Sequence, residues 1–441
     1  MYLPDYVKKI ITTLEENGYL AYLVGGCVRD YLMGITPDDY DVATNALPDK
    51  VATIFEKTYN TGAKHGTVTV LENGKTVEVT TFRSEGLYEN NRKPSSVEFI
   101  NCLDEDLKRR DFTMNAIAYN DKTSYIDLFS GMSDIRAGKI KCVGNPDERF
   151  KEDALRMLRA IRFSCKTGFN LTPSVKEGIR NNASHIKSIS KERIKSELEK
   201  AITSPYRKNI SLIYELGLSK YIASWLDVCM KTPQNTPYHI YSVGEHMLKT
   251  LEYANGSDAV MWASLLHDVG KPYKRVTDTN KTDHFKGHEE VSAQIADDIA
   301  KELKFSNELR EKVVLLIKNH RFDYEISDYG IKKAIKSVGR ENFDDLIALM
   351  TADSLAHSED AKIKRLGKIE EIKAIYEQVK DEPIYIGELV INGEHLKKIG
   401  FNGVQIGKVL DILSDDVMKV SSLNTLQKLE ERAREIMKEG I

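Results

Sequence analysis

Apolar positions change their spacing part-way along this chain. Up to about residue 145 they come in short runs bounded by polar turns, which predicts strands at Ala21–Val24, Asp41–Ala43, Gly66–Leu71, Thr76–Thr81, Val97–Ile100 and Ser124–Asp127. Helices fall between them: the N-terminal stretch MYLPDYVKKIITTLEENGYL is amphipathic, and Val28–Met33 continues a Gly-Gly turn. From Arg149 onward the period is helical, with Phe150, Ala154, Leu158 and Ile161 forming one apolar stripe. Breakers at Pro173, Ser204-Pro205 and from Thr232 to Pro237 mark edges of helices or domains. The predicted architecture is an α/β head over 1–145, a helical neck over 146–205, a helical body over 206–380 and a helical tail over 381–441.

At 441 residues the chain is long enough for two or more cores. It has no apolar run of membrane-spanning length and no secretory-signal pattern. Five scattered cysteines (27, 102, 142, 165 and 229) without metal spacing suggest free thiols in a reducing cytoplasm. Net charge is −3, but residues 141–208 carry 16 Lys/Arg against 8 Asp/Glu. A basic segment in an otherwise acidic chain suits contact with nucleic-acid phosphates, although solvated lysine-rich helix faces look the same.

The densest chemistry is near the N-terminus. Asp39 and Asp41 are alternate residues, and on a strand alternate side chains share a face. Two carboxylates so placed suit two Mg²⁺ ions beside a nucleoside triphosphate, one lowering the pKa of an attacking RNA hydroxyl and one steadying the leaving pyrophosphate. Upstream, Gly25-Gly26 opens a helix, so backbone N–H groups can approach phosphate, with Gly26 and Arg29 as contacts. Asp153 and Arg156 are three apart, on one face of a helix expected over 152–163. An Asp accepts from the exocyclic amine of cytosine or adenine, and an Arg donates to the neighbouring ring position. Uracil and guanine present the opposite polarity, so such a pair could select C and A without a nucleic-acid template. Taken alone, each of these motifs is commonly a turn or a surface salt bridge.

Their order is what is specific. GGCVRDYLMGITPDDYD (25–41), TFRSEGLYENNRKPSSVEF (81–99), LKRRDFTMNA (107–116), DLFSGMSDIRAGKIKCVG (127–144) and EDALRMLRAIRF (152–163) together resemble the signature segments of class II tRNA nucleotidyltransferases, the bacterial CCA-adding enzymes and poly(A) polymerases. The resemblance is strong over residues 1–205 and continues more weakly through Ile391-Asn392-Gly393 and Gly400-Phe401-Asn402-Gly403. It implies a polymerase-β-like head on an elongated helical neck, body and tail. It also implies that Arg110 contacts the nucleotide, Asp111 and Asn115 help hold the sugar, Glu152, Asp153 and Arg156 form the protein template, and Arg159 and Arg162 lie near the triphosphate. Residues 83–97 match a mobile loop that helps switch from C to A addition, with Lys93 where arginine is common. Partners implied are CTP, ATP and the acceptor end and elbow of tRNA. On surface arginines, Asp111 reads equally well as a helix N-cap.

A second set is His246, His267, Asp268, His288, His320 and Asp353. The segment ASLLHDVGK (263–271) resembles the signature of HD-superfamily phosphohydrolases. Imidazoles and carboxylates suit a second divalent metal, Mn²⁺, Fe²⁺, Ni²⁺ or Mg²⁺, that activates water against a phosphoester. His239 and His284 read as surface residues. Four functions stay open: CCA addition, A addition or poly(A) synthesis by the head, and phosphoester hydrolysis by the HD-type site. Oligomeric state is not encoded in any pattern found.

Overall fold

The structure is a computed structural model and describes residues 1, 3–62, 66–85, 88–89, 93–94 and 97–440. The chain forms two compact units, residues 1–227 and 228–441.

The first unit begins with α1 (Asp5–Glu16), which buries Val7, Ile10, Ile11 and Leu14 at helical spacing. Next come β1 (Ala21–Val24), α2 (Gly26–Leu32), β2 (Asp41–Thr44), α3 (Pro48–Ile54), β3 (Thr58–Gly62), β4 (Thr67–Glu72) and β5 (Lys75–Thr81). Then follow β6 (Arg83–Glu85), β7 (Tyr88–Glu89), β8 (Lys93–Pro94), β9 (Val97–Phe99), α4 (Leu103–Lys108), β10 (Ala118–Asn120), β11 (Ser124–Ile126), α5 (Gly131–Arg136) and β12 (Lys139–Ile140). Among the described residues these build a seven-stranded sheet in the order β11-β10-β1-β2-β5-β4-β3. It is antiparallel except for the β2–β5 pair. The β4–β5 hairpin turns on Asn73-Gly74, both at positive φ, the backbone that a two-residue hairpin loop demands. Val24, Ala43, Phe82, Leu103, Leu107 and Ala118 pack into one core cluster that fixes the ends of β1 and β2.

Strands β1, β2, β4, β5, β9 and β11 lie where the apolar runs place them. β3 is missed because Thr-Tyr-Asn-Thr-Gly is polar and lies at the sheet edge. Of the loop expected at 83–97, residues 86–87, 90–92 and 95–96 lie outside the described residues, and Lys93 is described only as backbone of β8. The described backbone of the loop pairs β6 with β9 and β7 with β8.

Helices follow: α6 (Pro146–Glu152), α7 (Leu155–Thr167), α8 (Pro173–Asn182) and α9 (Lys191–Ile202), with the short β13 (Asn170–Leu171) pairing in parallel with β12. The helix expected over 152–163 is broken. Asp153 adopts an extended backbone at the end of α6, and a new helix starts at Leu155. The carboxylate of Asp153 compensates by accepting the Leu155 N–H at 3.0 Å. The apolar stripe survives the break, since Phe150, Ala154, Leu158 and Ile161 are all buried.

In the second unit, helices Val243–Tyr253, Asp258–Leu266, His288–Glu302, Asn307–Asn319 and Arg340–Leu355 carry or adjoin the histidine set. Serines 242, 257 and 306 cap three of them. A smaller core of Ile391, Leu396, Phe401, Val409, Leu413, Val417, Leu429 and Ile436 holds the last helices together. Among the described residues no helix is long and apolar enough to cross a membrane.

Candidate active site

The turn from β1 into α2 is built by Gly25, at φ +76°. A Cβ there would lie 3.2 Å from Arg110 Nη1 and 3.7 Å from Asp41 Oδ2, so the glycine lets a cation and a carboxylate close on the turn. Asp41 opens β2 and stands in register with Glu78 of the parallel neighbour β5. Burial, and then the negative charge of Glu78, push the Asp41 carboxyl up to about 6, against the pull of Arg110. Glu78 is a carboxylate that the sequence pattern did not single out. Only the strand register brings it to Asp41.

Asp39 does not share a strand face with Asp41. It sits exposed in the bend before β2, because the ladder begins only at Asp41. Its charge still reaches Asp41 and adds to the rise of that carboxyl.

A cavity of about 790 Å³ opens over this corner, lined by Gly26, Asp41, Glu78, Arg110, Asp153 and Arg156 among others. Its arginines are held by carboxylates. Asp106, buried on α4, binds Arg109 at 2.7 Å and Arg110 at 3.2 Å. Arg29 is 3 % exposed, and its guanidinium is engaged by Asp30 and by Asn115 Oδ1 at 2.8 Å. Arg159 grips Asp111 through Nε at 2.7 Å and Nη2 at 2.6 Å. Burial alone would raise Asp111, but Arg159 holds it down at about 2. Asp111 is not a helix N-cap: a one-turn 3₁₀ helix follows, and the carboxylate accepts from Phe112 N–H and Asn115 Nδ2 instead. Arg162 pairs with Glu197 at 2.6 Å and lies over the Phe163 ring, 4.0 Å from its centroid.

Asp153 and Arg156 both face the cavity, from either side of the α6–α7 break. Arg156 is held by Glu152 and by the carbonyls of Arg149 and Arg109. Asp153 Oδ2 accepts from Arg193 at 2.8 Å.

The second cluster is buried. His246, His267, Asp268, His288, His320 and Asp353 are each less than 7 % exposed. His246 Nε2 lies 2.9 Å from Asp353 Oδ1 and 3.3 Å from His267 Nε2. Asp268 joins two halves, with Oδ2 3.1 Å from His267 and Oδ1 3.1 Å from His288. In all four imidazoles Nδ1 faces a backbone carbonyl, of Ala356, Ser264, Phe285 and Ile317 respectively. That fixes the tautomer and aims four Nε2 atoms inward, as metal-ligating histidines are held. Asp268 Oδ1 and His288 Nε2 are buried 3.1 Å apart and make no hydrogen bond of good geometry. These donors fit a divalent ion.

His239 is a correction. It is half-buried rather than a surface residue, packed 4.4 Å from His357 and 4.9 Å from His246 between ring centroids. Burial pushes it far below the usual imidazole range. His357, four residues past Asp353, was not marked in the sequence, yet it lines the same cavity of about 650 Å³. His284 is exposed as expected and pairs with Asp278 at 2.9 Å.

Comparison with known proteins follows this division. Residues 21–141 match the Poly A polymerase head domain, 168–229 the probable RNA and SrmB-binding site of polymerase A, and 238–358 the HD domain. The CCA-adding enzyme of Geobacillus thermodenitrificans is 50 % identical over 214 residues, 48 % of this chain and 53 % of that protein. That of Bacillus cereus strain G9842 is 42 % identical over 273 residues, 61 % of this chain and 65 % of that protein. The chain thus matches between about half and two thirds of the length of these curated relatives. Among solved structures, the Bacillus stearothermophilus CCA-adding enzyme in complex with CTP superposes with a TM-score of 0.75 at 29 % identity, covering 100 % of both chains. The Thermotoga maritima CCA-adding enzyme complexed with tRNA shares the fold, with a TM-score of 0.62 at 20 % identity and 99 % and 96 % coverage. The chain thus matches a Poly A polymerase head domain, a probable RNA and SrmB-binding site of polymerase A and an HD domain, each over part of its length, and is similar in sequence and in fold to CCA-adding enzymes.

Proposed function

We propose that this chain is a template-independent nucleotidyltransferase that adds C, C and A to tRNA 3′ ends from CTP and ATP. The observation that carries the reading is one cavity holding both Asp41, beside the Gly25-Gly26 turn, and the Asp153–Arg156 pair. One end suits a metal-bound triphosphate and the other a base with an amine next to an acceptor. The similarity to CCA-adding enzymes supports the same reading.

Asp39 and Asp41, with Glu78 beside Asp41, would hold Mg²⁺. When bound, Mg²⁺ supplies charge for the triphosphate and makes the RNA 3′-hydroxyl more acidic. The chain's own groups do the rest. Backbone N–H groups at Gly26 and the Arg110 guanidinium orient phosphate oxygens. Arg159 and Arg162 add positive charge on the same side, and Arg29 steadies Asn115, which with Asp111 borders the sugar. Asp153 accepts the amine of C or A, and Arg156 donates to the adjacent ring position. The division into head (1–145), neck (146–205), body (206–380) and tail (381–441) belongs to this reading, with tRNA acceptor-end and elbow phosphates along neck and tail. The five free cysteines suit a reducing cytoplasm.

The test is incorporation into two tRNA transcripts, one ending before CCA and one ending in CC. Three additions to the first support CCA addition. One A on the second with none on the first means an A-adding enzyme, and long A tails mean a poly(A) polymerase.

A second activity is favoured by the four tautomer-fixed imidazoles around Asp268. Mn²⁺, Fe²⁺, Ni²⁺ or Mg²⁺ held there would supply an activated water for phosphoester hydrolysis. Hydrolysis that survives Asp39→Ala but not His267→Ala would support it.

A further inference from the structure

The E-D-x-x-R segment accounts for only half of its own geometry. Arg156 has its carboxylate partner within the segment, Glu152, beside the carbonyls of Arg149 and Arg109. Asp153 is fixed from outside it, by Arg193 on α9, forty residues away. One turn further along α9, Glu197 binds Arg162 of α7, so one face of α9 carries both an arginine for the carboxylate and a carboxylate for the arginine.

We propose that Arg193 is a positioning residue for nucleotide selection; the inference rests on the reading of Asp153 and Arg156 as the base-recognising pair. Asp153 ends α6 in an extended conformation, so no helix holds its side chain. Two bonds set the rotation of its carboxylate: Oδ1 accepts the Leu155 N–H at 3.0 Å and Oδ2 accepts Arg193 Nη2 at 2.8 Å. Each oxygen then keeps a lone pair for a base amine. The Arg193 guanidinium lines the cavity and is about one-third exposed, so it acts at the place where the base must sit.

Without Arg193, Asp153 can turn to Arg156, three residues on and lining the same cavity. An Asp153–Arg156 ion pair would consume the acceptor and the donor that the base requires. Arg193 thus keeps the two recognising groups apart by satisfying one of them. A planar, always charged guanidinium can do this from α9, whereas a neutral side chain of similar length cannot.

The experiment measures kcat and KM for CTP, ATP, UTP and GTP on tRNA transcripts with wild type, Arg193→Lys and Arg193→Gln. Loss of one charge-assisted bond to a recognising group should lower the preference for C and A over U and G by about tenfold in Arg193→Gln. Arg193→Lys should recover part of that preference. The loss should appear chiefly in KM for the nucleotide, with tRNA binding unchanged. A merely structural salt bridge would lower the melting temperature or the active fraction equally for all four nucleotides. An unchanged selectivity ratio in Arg193→Gln overturns the proposal. A wild-type enzyme that incorporates C and A, with altered ratios only in the variants, supports it. Wild type that incorporates nothing would bring down the functional reading, and this inference with it.

Discussion

Replacing Asp41 by Asn should make the metal-free protein more stable at pH 8. Asp41 is largely buried beside Glu78, and its carboxyl is raised from 3.8 to about 6, first by burial and then by that neighbour. A rise of that size corresponds to about 3 kcal/mol between the two protonation states, roughly half of which survives partial exposure and solvent screening. The sign follows from proton counting. Between about pH 4 and 6 the folded state holds a proton that the unfolded chain has released, so stability falls as pH rises through that window. The penalty is complete above pH 6 and absent below pH 4. Asparagine removes the charge and nearly keeps the shape. In EDTA at pH 8, Asp41→Asn should therefore melt about 3–6 °C above wild type in the transition of residues 1–227. At pH 4 the two should coincide. Adding Mg²⁺ should raise wild type and leave the variant unmoved, because ligand binding to the folded state alone is stabilising. Scanning calorimetry at the two pH values reads all three effects. An Asp41→Asn protein less stable than wild type at pH 8, or a difference that persists at pH 4, would refute the electrostatic account of this corner.

Other consequences are simpler to read. Asp39→Ala should abolish nucleotide incorporation while leaving tRNA affinity within about twofold, since Asp39 is exposed and holds no part of the core; filter binding and a gel assay separate the two. tRNA affinity should fall at least tenfold between 50 and 200 mM salt if phosphates along the basic neck are the contacts, and an affinity flat over that range would contradict such an interface. The His267→Ala/Asp268→Ala double variant should lose metal that the wild type retains through purification, as measured by elemental analysis. Burial lowers His267, but Asp268 and Asp353 outweigh it and raise the imidazole to about 9. Metal uptake must displace that proton, so apparent affinity should rise with pH up to about 9, and an affinity independent of pH between 6 and 9 would contradict the assignment.

Much of this site was legible because its chemistry is local. Gly25-Gly26 lies at a turn, Arg110, Asp111 and Asn115 sit together in the one segment whose resemblance marked them, and the histidine set keeps its order along successive helices. What stayed hidden is what the strand ladder and helix packing bring together. Glu78 reaches Asp41 only through the parallel register of β2 and β5, and Val-Glu-Val is an ordinary half-buried strand pattern. Arg193 reaches Asp153 across α7–α9 packing, and a lysine- and glutamate-rich helix gives no reason to choose one of its cations. The helix expected across 152–163 failed for another reason. The apolar stripe continues through the break, so periodicity cannot detect that Asp153 leaves helical geometry. The strand argument for Asp39 failed because β2 starts two residues later than an alternating pair requires. His357 and His239 look like scattered polar residues until the Arg340–Leu355 helix and the loop before His246 place them side by side.

The central claim is that side chains of this protein, and no nucleic acid, choose the nucleotides. It is tested most directly by incubating the enzyme and Mg²⁺ with all four nucleoside triphosphates and a tRNA transcript ending before CCA, then sequencing the product 3′ ends. The expected ends read CCA and stop there. Products carrying U or G at these positions, or unbroken runs of A, would contradict it.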